Sequence, residues 1–324
     1  MGGSTNAIVH LLAIAGRVPD IDLTLDDIER IGRRTPLLVD LKPSGDNYME
    51  ECVIHKLLLC LIHQEYISFH HAGGVPVLLR HLLDLLHLDA LTVTGKTLGE
   101  ELDALPPSHR QVIIRPLSDP LFPSSPLAVL YGNLAPKGAV IKQSAATKRL
   151  LSHTGPAVVF SSAADLAKRI DSDELEVTVD SVLILQNIGP IGGPGMPEAG
   201  LIPIPKKLAR QGVKDIVRIS DGRMSGTAAG TVILHVAPEA AVGGPLAVVQ
   251  EGDLISIDVE TRSLHLHVDS KEVEKRLSAW KGAGNKNFKP ERGYSGLYKR
   301  SVLGAEMGVD FQFLRADGAK VVAG

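Results

Sequence analysis

Hydrophobic positions follow helical spacing in the first third of the chain. Residues 7–15 are almost continuously apolar, and residues 77–88 repeat leucine at intervals typical of a helix face, so both segments predict helices. Another helix is expected to begin after Thr24, because an acidic residue follows it at the third position, as in a capping box. The pattern changes around two consecutive prolines, and a domain boundary is predicted between residues 105 and 120.

Short apolar runs typical of strands dominate the rest of the chain. Strands are predicted at residues 157–160, 177–185, 216–219, 232–236 and 246–249. Residues 254–268 alternate between apolar and polar positions on both sides of a polar turn, which predicts a β-hairpin. Helices are expected at residues 163–170 and 271–280, the second capped by Ser270. Many short strands with few helices favour a barrel-like β domain.

Composition narrows the classes of function. Hydrophobic residues make up 44% of the 324 residues and aromatic residues only 4%, which is typical of a globular protein with an aliphatic core. The formal net charge of −3 gives no reason to expect a nucleic-acid or anionic-membrane partner. Two cysteines cannot form a disulfide framework, so we expect a reducing compartment. No run approaches the roughly 18 apolar residues of a membrane-spanning helix.

The strongest chemical signal is the segment at residues 219–229. It reads Ile-Ser-Asp-Gly-Arg-Met-Ser-Gly-Thr-Ala-Ala and places Ser225 and Thr227 on either side of a glycine, directly after a predicted strand. A strand that ends in such a turn can present a hydroxyl beside exposed backbone N–H groups, as an activated alkoxide requires. An ordinary glycine- and serine-rich turn has the same pattern. The spacing alone therefore leaves both interpretations open.

Further motifs accompany this segment along the chain. They are Gly-Gly-Ser-Thr-Asn-Ala at residues 2–7, Thr-Val-Thr-Gly-Lys-Thr-Leu at residues 92–98, Gly-Asn-Leu-Ala-Pro-Lys-Gly-Ala at residues 132–139, Ile-Gly-Gly-Pro-Gly-Met-Pro-Glu at residues 191–198 and Leu-His-Val-Ala-Pro-Glu-Ala-Ala-Val-Gly-Gly-Pro at residues 234–245. In this order they resemble the dihydroxy-acid/phosphogluconate dehydratase family, the iron–sulfur hydro-lyases. The resemblance runs through nearly the whole chain except one insertion, and it indicates the C-terminal part of such an enzyme.

The resemblance implies an α/β plus β fold. Residues 1–110 are expected to be the remnant of an α/β cluster-binding domain. Residues 111–324 are expected to form a β-barrel-like C-terminal domain with a helical tail. This expectation agrees with the pattern of short strands.

The insertion occupies residues 52–68 and contains both cysteines. One interpretation is a metal site, because Cys52, Cys60, His55 and His63 have spacings that could share a helix face. We favour a retained intron: suitable codons would give an in-frame GT…AG segment whose removal restores an aspartate.

The resemblance also implies the chemistry. Dehydrating a 2,3-dihydroxy acid needs a base for the C2 proton, an acid for the C3 hydroxyl, and cations near the carboxylate. In the family an iron–sulfur cluster is the Lewis acid and Mg²⁺ stabilises the carboxylate side. Ser225 matches the proposed base, Thr227 a substrate contact, and Glu198 a Mg²⁺ ligand, for which a carboxylate is a suitable hard donor. Asp221 and Arg223 are expected to hold the loop through hydrogen bonds.

Other motif residues are expected to have structural roles. His235 is interpreted as an alternating strand residue, and Glu239 as an acid at a helix start. Gly132 and Asn133 are expected to build a turn. Residues 2–6 are expected to approach the cluster or the substrate through backbone groups.

Similarity within the family favours the sugar-acid branch. Residues 180–187, 202–208 and 231–235, together with Met224 and Thr227, are similar to that branch. We therefore expect a small-molecule aldonate substrate, such as arabinonate or a similar pentonate, converted to a 2-keto-3-deoxy acid. Two alternatives remain: a dihydroxy-acid dehydratase of branched-chain amino-acid synthesis, and a non-catalytic truncated paralogue that pairs with a full-length subunit.

The family's cluster-binding cysteines precede the Gly-Gly-Ser-Thr-Asn motif and have no counterpart in this sequence. Cys52 and Cys60 match no ligand position, so no iron–sulfur ligand is assigned. The chain is therefore expected to be N-terminally truncated and inactive alone, and the full-length form is expected to be a homo-oligomer. A cytoplasmic location is expected, with a mitochondrial one open if a transit peptide precedes this sequence.

Overall fold

The chain divides into two compact units. In the computed structural model, residues 1–47, 69–105, 111–225, 229–282 and 292–316 are described. The first unit comprises residues 1–2 and 31–126, and the second comprises residues 3–30 and 127–324. The insertion expected at residues 52–68 lies outside the described residues. The domain limits expected at residues 1–110 and 111–324 stay a prediction.

The described ranges contain both helices and strands. The α-helices are α1 (Thr5–Gly16), α2 (Leu25–Arg34), α3 (Gly74–His81), α4 (Leu98–Asp103), α5 (Ala163–Arg169), α6 (Lys206–Arg210), α7 (Ser270–Gly282) and α8 (Gly293–Ser301). The strands are β1 (Leu127–Leu130), β2 (Ala139–Lys142), β3 (Ser152–Phe160), β4 (Val182–Leu185), β5 (Val217–Ser220), β6 (Val232–Leu234), β7 (Leu254–Asp258) and β8 (Ser263–Leu266). Within the described ranges, no helix has the length and apolar character to span a bilayer.

In the first unit, a small apolar core lies beside helix α3. Val77 and Leu78 of α3 pack in a buried cluster with Leu38, Phe69 and Ile114. The helix predicted at residues 77–88 was too long. It ends at His81 and is followed by a 3₁₀ turn at Leu83–Leu85 that buries no residue, so packing does not stabilise a continuous helix there.

The second unit is built on one mixed sheet. Its strand order is β1-β2-β6-β5-β4-β3-β7-β8. Neighbouring strands among β3, β4, β5 and β6 are parallel, and the remaining pairs are antiparallel. The β7–β8 hairpin pairs Ile255 with Leu266, which confirms the predicted hairpin. Helix α5 lies in the connection from β3 to β4 and helix α6 in the connection from β4 to β5, because parallel strands need a crossover connection.

The two edges of this sheet meet and nearly close it into a barrel. Tyr131, directly after β1, forms a bridge with Ser263 at the start of β8. Its N–H donates to the carbonyl of Arg262 at 2.9 Å, and its carbonyl accepts from the N–H of Leu264 at 2.8 Å. Barrel closure removes sheet edges that would otherwise expose unpaired backbone groups. The structure is thus compatible with the predicted α/β plus β-barrel-like arrangement.

One face of every strand contributes to a single apolar cluster. The cluster includes Ala128, Leu130, Ala139, Ile141, Ala157, Val182, Ile184, Val217, Ile219, Ile233, Ile255, Ile257, Leu264 and Leu266. Because side chains alternate between the two faces of a strand, the intervening residues lie on the outer face. Helix α1 covers the outer face of β1 and β2, where Ile8 and Leu12 pack with Val129 and Val140.

Three sequence predictions outside the serine segment need correction in this unit. The strand predicted at residues 246–249 is a 3₁₀ helix, Pro245–Val248, because the proline at its start favours a helical first turn. The strand predicted at residues 177–185 is confined to Val182–Leu185. Ser270 lies inside α7, and Asp269 accepts the N–H of Lys271 at 2.9 Å in its place.

Candidate functional site

The serine-containing segment of the second unit begins where strand β5 ends. Asp221, the first residue after β5, is fully buried. Its carboxylate accepts the backbone N–H groups of Asn187, Ile188 and Ala240 at 3.2, 3.0 and 2.9 Å. Asp221 therefore joins the start of the serine segment to the two neighbouring loops, which is the bonding role expected from the sequence.

Arg223 connects the same segment to the loop that carries Glu198. Its Nε donates to the carbonyl of Met196 at 2.5 Å, and its own carbonyl accepts from the N–H of Gly200 at 2.7 Å. These two contacts lie on either side of Glu198 in the sequence. They hold the loop at both ends while the Glu198 side chain remains exposed.

Asn6, in the first turn of α1, contacts both loops at once. Its Nδ2 donates to Oε1 of Glu198 and to the carbonyl of Met224, the latter at 3.3 Å. Ser225 follows Met224 directly and is exposed. The structure thus brings Glu198 next to the peptide that precedes Ser225. Thr227 lies outside the described residues, so its place in the site stays a prediction.

A buried ion pair fixes the end of the serine segment. Nη2 of Arg218 lies 2.9 Å from Oδ1 of Asp215, and both side chains are buried. The N–H and hydroxyl of Thr231 donate to the Asp215 carboxylate, and Arg218 donates to the carbonyl of Ala229 at 3.3 Å. Burial opposes ionisation of Asp215, but the hydrogen bonds from Thr231 and the nearby guanidinium outweigh it and lower the pKa of Asp215. Both ends of the segment are therefore anchored.

The glycine-rich loop before Glu198 is held from two other sides. The carboxylate of Glu239 accepts the consecutive N–H groups of residues 191–192 at 2.8 and 3.0 Å. The hydroxyl of Tyr298, on α8, donates to the carbonyl of Pro190 at 3.1 Å and accepts from the N–H of Gly195 at 2.8 Å. Tyr298 and Glu239 thus set the path of the backbone that delivers Glu198.

Two buried carboxyl groups give this region unusual electrostatics. Burial raises the pKa of Asp221 to about 6, although its backbone hydrogen bonds act in the opposite direction. The pKa of Glu239 is raised to about 7, mainly by burial and also by the charges of Asp221 and Glu306, although the N–H groups of residues 191–192 act in the opposite direction. Both groups therefore change charge near neutral pH.

His235 lies beneath the serine segment. The predicted strand at residues 232–236 ends at Leu234, and His235 has a left-handed backbone with φ of +57°. Its N–H donates to the carbonyl of Gly222 at 3.0 Å, whereas its buried Nε2 has no hydrogen-bond partner within the described ranges. Burial and the charge of Arg223 lower the pKa of His235 to about 3, so the ring stays neutral.

The sequence alone missed the side-chain roles of Asn6, Tyr298 and Lys142. Only backbone contacts were expected of the motif that contains Asn6. Tyr298 lies in a region without a clear hydrophobic pattern. Lys142 is 8% exposed and donates to the carbonyl of Gly3 at 3.1 Å. Its signal in the sequence is a lysine that ends an otherwise apolar strand.

Metal-binding capacity in the described part of the chain is limited. No group of three or more histidine, cysteine, aspartate or glutamate residues there could hold an ion. Both cysteines, Cys52 and Cys60, lie outside the described ranges. Asn6 nevertheless links two hard oxygen donors, the Glu198 carboxylate and the Met224 carbonyl, and its own Oδ1 is buried without a partner among the described residues.

Comparison with known proteins identifies relatives of this chain. The dihydroxy-acid/6-phosphogluconate dehydratase C-terminal profile matches residues 112–309, and the N-terminal profile of the same family matches residues 1–56. The chain is 47% identical over 317 residues to a protein named L-arabinonate dehydratase from Rhizobium leguminosarum bv. trifolii (strain WSM2304), covering 97% of this chain and 51% of that protein.

Two further relatives have similar coverage. The chain is 48% identical over 322 residues to L-arabonate dehydratase from Azospirillum brasilense, covering 97% of this chain and 52% of that protein. It is 45% identical over 322 residues to 6-deoxy-6-sulfo-D-gluconate dehydratase from Pseudomonas putida, covering 98% of this chain and 52% of that protein. The chain therefore spans about half the length of the curated relatives that it matches.

Proposed function

The chain belongs to the dihydroxy-acid/6-phosphogluconate dehydratase family, and from this premise we propose that it takes part in dehydrating an aldonate to a 2-keto-3-deoxy acid. The names of its relatives support this substrate class, because they include arabinonate and sulfogluconate dehydratases. The observation that carries the proposal is the contact of Asn6 with both Glu198 and the Met224 carbonyl. It brings a carboxylate next to the peptide that leads into Ser225.

Ser225 is proposed as the base. Its alkoxide takes the C2 proton of the aldonate, the C3 hydroxyl leaves as water after gaining a proton, and the resulting enol becomes the 2-keto-3-deoxy acid by protonation at C3. A serine hydroxyl must first lose its own proton, which requires stabilisation of the alkoxide by positive charge or N–H donors. The segment that contains Ser225 suits this task, because hydrogen bonds hold Asp221 before it and Thr231 after it.

Glu198 is proposed to bind Mg²⁺. The ion usually takes one or two protein carboxylates and keeps several waters, so a single exposed glutamate with oxygen donors nearby fits it. Oδ1 of Asn6 and the Met224 carbonyl are the nearby donors. When bound, Mg²⁺ supplies positive charge at the carboxylate side of the substrate. Asn6 then orients Glu198 through its Nδ2 group.

An iron–sulfur cluster does not fit the described residues. They contain no cysteine, and no alternative set of ligands is present among them. The steps assigned to this chain therefore concern proton removal and carboxylate binding. Because the described residues offer no cluster ligand and Cys52 and Cys60 match no ligand position of the family, we propose that the chain alone shows no turnover.

Thr227 is proposed to contact the substrate. The proposal rests on the family resemblance and on its position two residues after Ser225. A threonine hydroxyl can both donate to and accept from the hydroxyl groups of a sugar acid.

The substrate class can be tested with a chimera. This chain replaces the matching half of L-arabinonate dehydratase, and the chimera is offered L-arabinonate, D-gluconate and 2,3-dihydroxyisovalerate. We expect 2-keto-3-deoxy acid from one or both aldonates and little product from the branched-chain acid. A clear preference for 2,3-dihydroxyisovalerate would instead assign the chain to branched-chain synthesis. A well-folded, cluster-loaded chimera without any turnover would favour a non-catalytic paralogue.

A further inference from the structure

Lys142 is a buried cation with one neutral partner in the part of the chain that the structure describes. It ends strand β2, is 8% exposed, and donates from Nζ to the carbonyl of Gly3 at 3.1 Å. Within the described ranges it forms no ion pair, unlike Lys137, which lies 3.0 Å from Glu306. An ammonium has three donors, so one carbonyl leaves most of its hydrogen-bonding capacity unused. Burial also lowers the pKa of Lys142, as expected for a cation without a counter-ion.

The sheet places Lys142 close to the serine segment. Val140 pairs with Leu234 and Ile141 with Ile233, and continuing this antiparallel register puts Lys142 opposite Val232. Because Ile141 belongs to the inner cluster, Lys142 lies on the outer face of the strand. On that face Val232 packs against Met224, the residue before Ser225. Lys142 is therefore separated from the serine segment by about one side chain.

The beginning of helix α1 reinforces the positive charge. The carbonyl of Gly3 accepts the hydrogen bond from the Lys142 ammonium. Gly3 has a left-handed backbone with φ of +61°, which a larger residue would adopt only with strain. Helix α1 follows immediately, has 12 residues and carries no acidic residue in its first turn. The N-terminus of a helix attracts anions through its dipole and its unpaired N–H groups. Lys142 and this end of α1 thus form one positive region beside Asn6.

We propose that Lys142 is a substrate-binding residue whose ammonium pairs with the carboxylate of the aldonate. The inference rests on the proposed function, and it adds a side chain of this chain to the positive charge that Mg²⁺ is proposed to supply at the substrate carboxylate. Isolated buried charges are strongly unfavourable in folded proteins, and a ligand carboxylate supplies the missing counter-ion. The ammonium reaches the anion from the β2 side, and Asn6 of α1 contacts Glu198.

The first test compares thermal unfolding of the wild-type chain, K142M and K148M with and without sodium gluconate. Lys148 is an exposed lysine six positions along the chain and serves as the matched control. Without gluconate, K142M is expected to melt at or above the wild-type temperature, because methionine removes a buried unpaired charge. Gluconate is expected to raise the melting temperature of the wild type and of K148M, but not of K142M. Sodium sulfate at equal ionic strength separates aldonate binding from a general anion effect.

The affinity for gluconate measures how much Lys142 contributes to binding. A hydrogen-bonded charged group contributes enough that its loss weakens gluconate binding about 10–100-fold, measured by calorimetry. Equal gluconate affinity in K142M and wild type would overturn the inference. So would a K142M chain that melts far below the wild type, since the ammonium would then be structural.

Acetylation of the wild-type chain tests the same point without any substitution. Gluconate is expected to slow acetic-anhydride labelling of Lys142, measured by peptide mass spectrometry, and to leave Lys148 unchanged. Equal labelling of Lys142 with and without gluconate would overturn the inference, including the case in which gluconate does not bind this chain at all. The proposed function is decided separately by turnover of the chimera. An active chimera with an unprotected Lys142 would refute only the inference.

Discussion

Asp221 and Glu239 show how single buried carboxylates organise the loops of this site. Each collects backbone N–H groups from the loop that delivers Glu198: Asp221 at residues 187–188, and Glu239 at residues 191–192. A buried carboxylate that accepts several N–H groups fixes the backbone around it, because all of these donors must reach the same two oxygen atoms. The position of Glu198 therefore depends on buried side chains that bond to the backbone of its loop.

These two carboxyl groups predict how stability depends on pH. Their folded-state pKa values of about 6 and about 7 lie above the ordinary values of 3.8 and 4.5. Between those values the folded protein holds more protons than the unfolded chain. Their contribution to the free energy of unfolding is therefore complete below about pH 4 and is lost as the pH rises through 6 to 7.

Glu239→Gln isolates one of the two groups, because glutamine stays neutral at every pH. We expect the decline in unfolding free energy between pH 5 and pH 8 to become shallower, by up to about 1.4 kcal/mol per pH unit. Chemical denaturation at each pH measures this slope, with the exposed Glu260→Gln as the control. If Glu239→Gln and Glu260→Gln kept the same slope as the wild type, Glu239 would not titrate in this range.

At the residue scale, the sequence predicted the roles of residues that lie in a recognisable motif. It missed residues whose role depends on contacts with distant parts of the chain. Asp221 and Arg223 were expected to hold the loop and do so. Asn6 and Lys142 are separated from their partners by long stretches of chain, so only the fold shows their contacts. The left-handed backbone of His235 is likewise invisible to a strand pattern, which predicts alternation and no backbone break.

At the scale of secondary-structure elements, the closure of the sheet depends on Gly132 and Asn133. A Cβ at residue 132 would lie 2.0 Å from the carbonyl oxygen of Leu264, so only glycine allows the close approach of the two edges. The side-chain amide of Asn133 then donates to the carbonyl of Leu266 and accepts its N–H, both at 2.7 Å. The side chain of Asn133 thus forms the pair of hydrogen bonds with Leu266 that the backbone of a paired strand would otherwise form.

Replacing this amide is expected to loosen the closure. Asn133→Ala removes both hydrogen bonds to Leu266 and leaves its backbone groups without that partner, which should destabilise the chain by about 1–3 kcal/mol. Denaturant unfolding measures the loss. Glu260→Ala, an exposed change in the neighbouring β7–β8 turn, is the control and should have little effect. Equal stability of the two variants would show that Asn133 contributes nothing to barrel closure.

The hydrophobic pattern predicted elements where local and tertiary preferences agree. The β7–β8 hairpin and helix α5 have clear periodicity and were confirmed. Strands β1 and β2 were missed, because they are fully paired, largely buried and too short to show alternation. The sequence around Gly132 indicated a turn, but the pairing of Tyr131 with Ser263 depends on contacts far apart in the chain.

At the scale of the whole molecule, the chain carries part of the proposed chemistry. The second unit contains Ser225, Glu198 and the residues that position them, and the described residues offer no ligands for a cluster. The two family profiles match residues 1–56 and 112–309 of this chain, and the relatives are about twice as long as the chain. We therefore propose proton removal and carboxylate binding for this chain, and we assign none of its described residues to the Lewis acid.

The most direct test is the turnover of L-arabinonate by the chimera that carries this chain, measured as 2-keto-3-deoxy acid, before and after Ser225→Ala. Ser278→Ala, an exposed change on α7, is the control. We predict that Ser225→Ala lowers kcat by about 10²–10⁴-fold with little change in KM, because a positioned base contributes roughly that factor. The control should keep the starting rate. A Ser225→Ala chimera that retains full turnover would contradict the account, since another group would then remove the C2 proton.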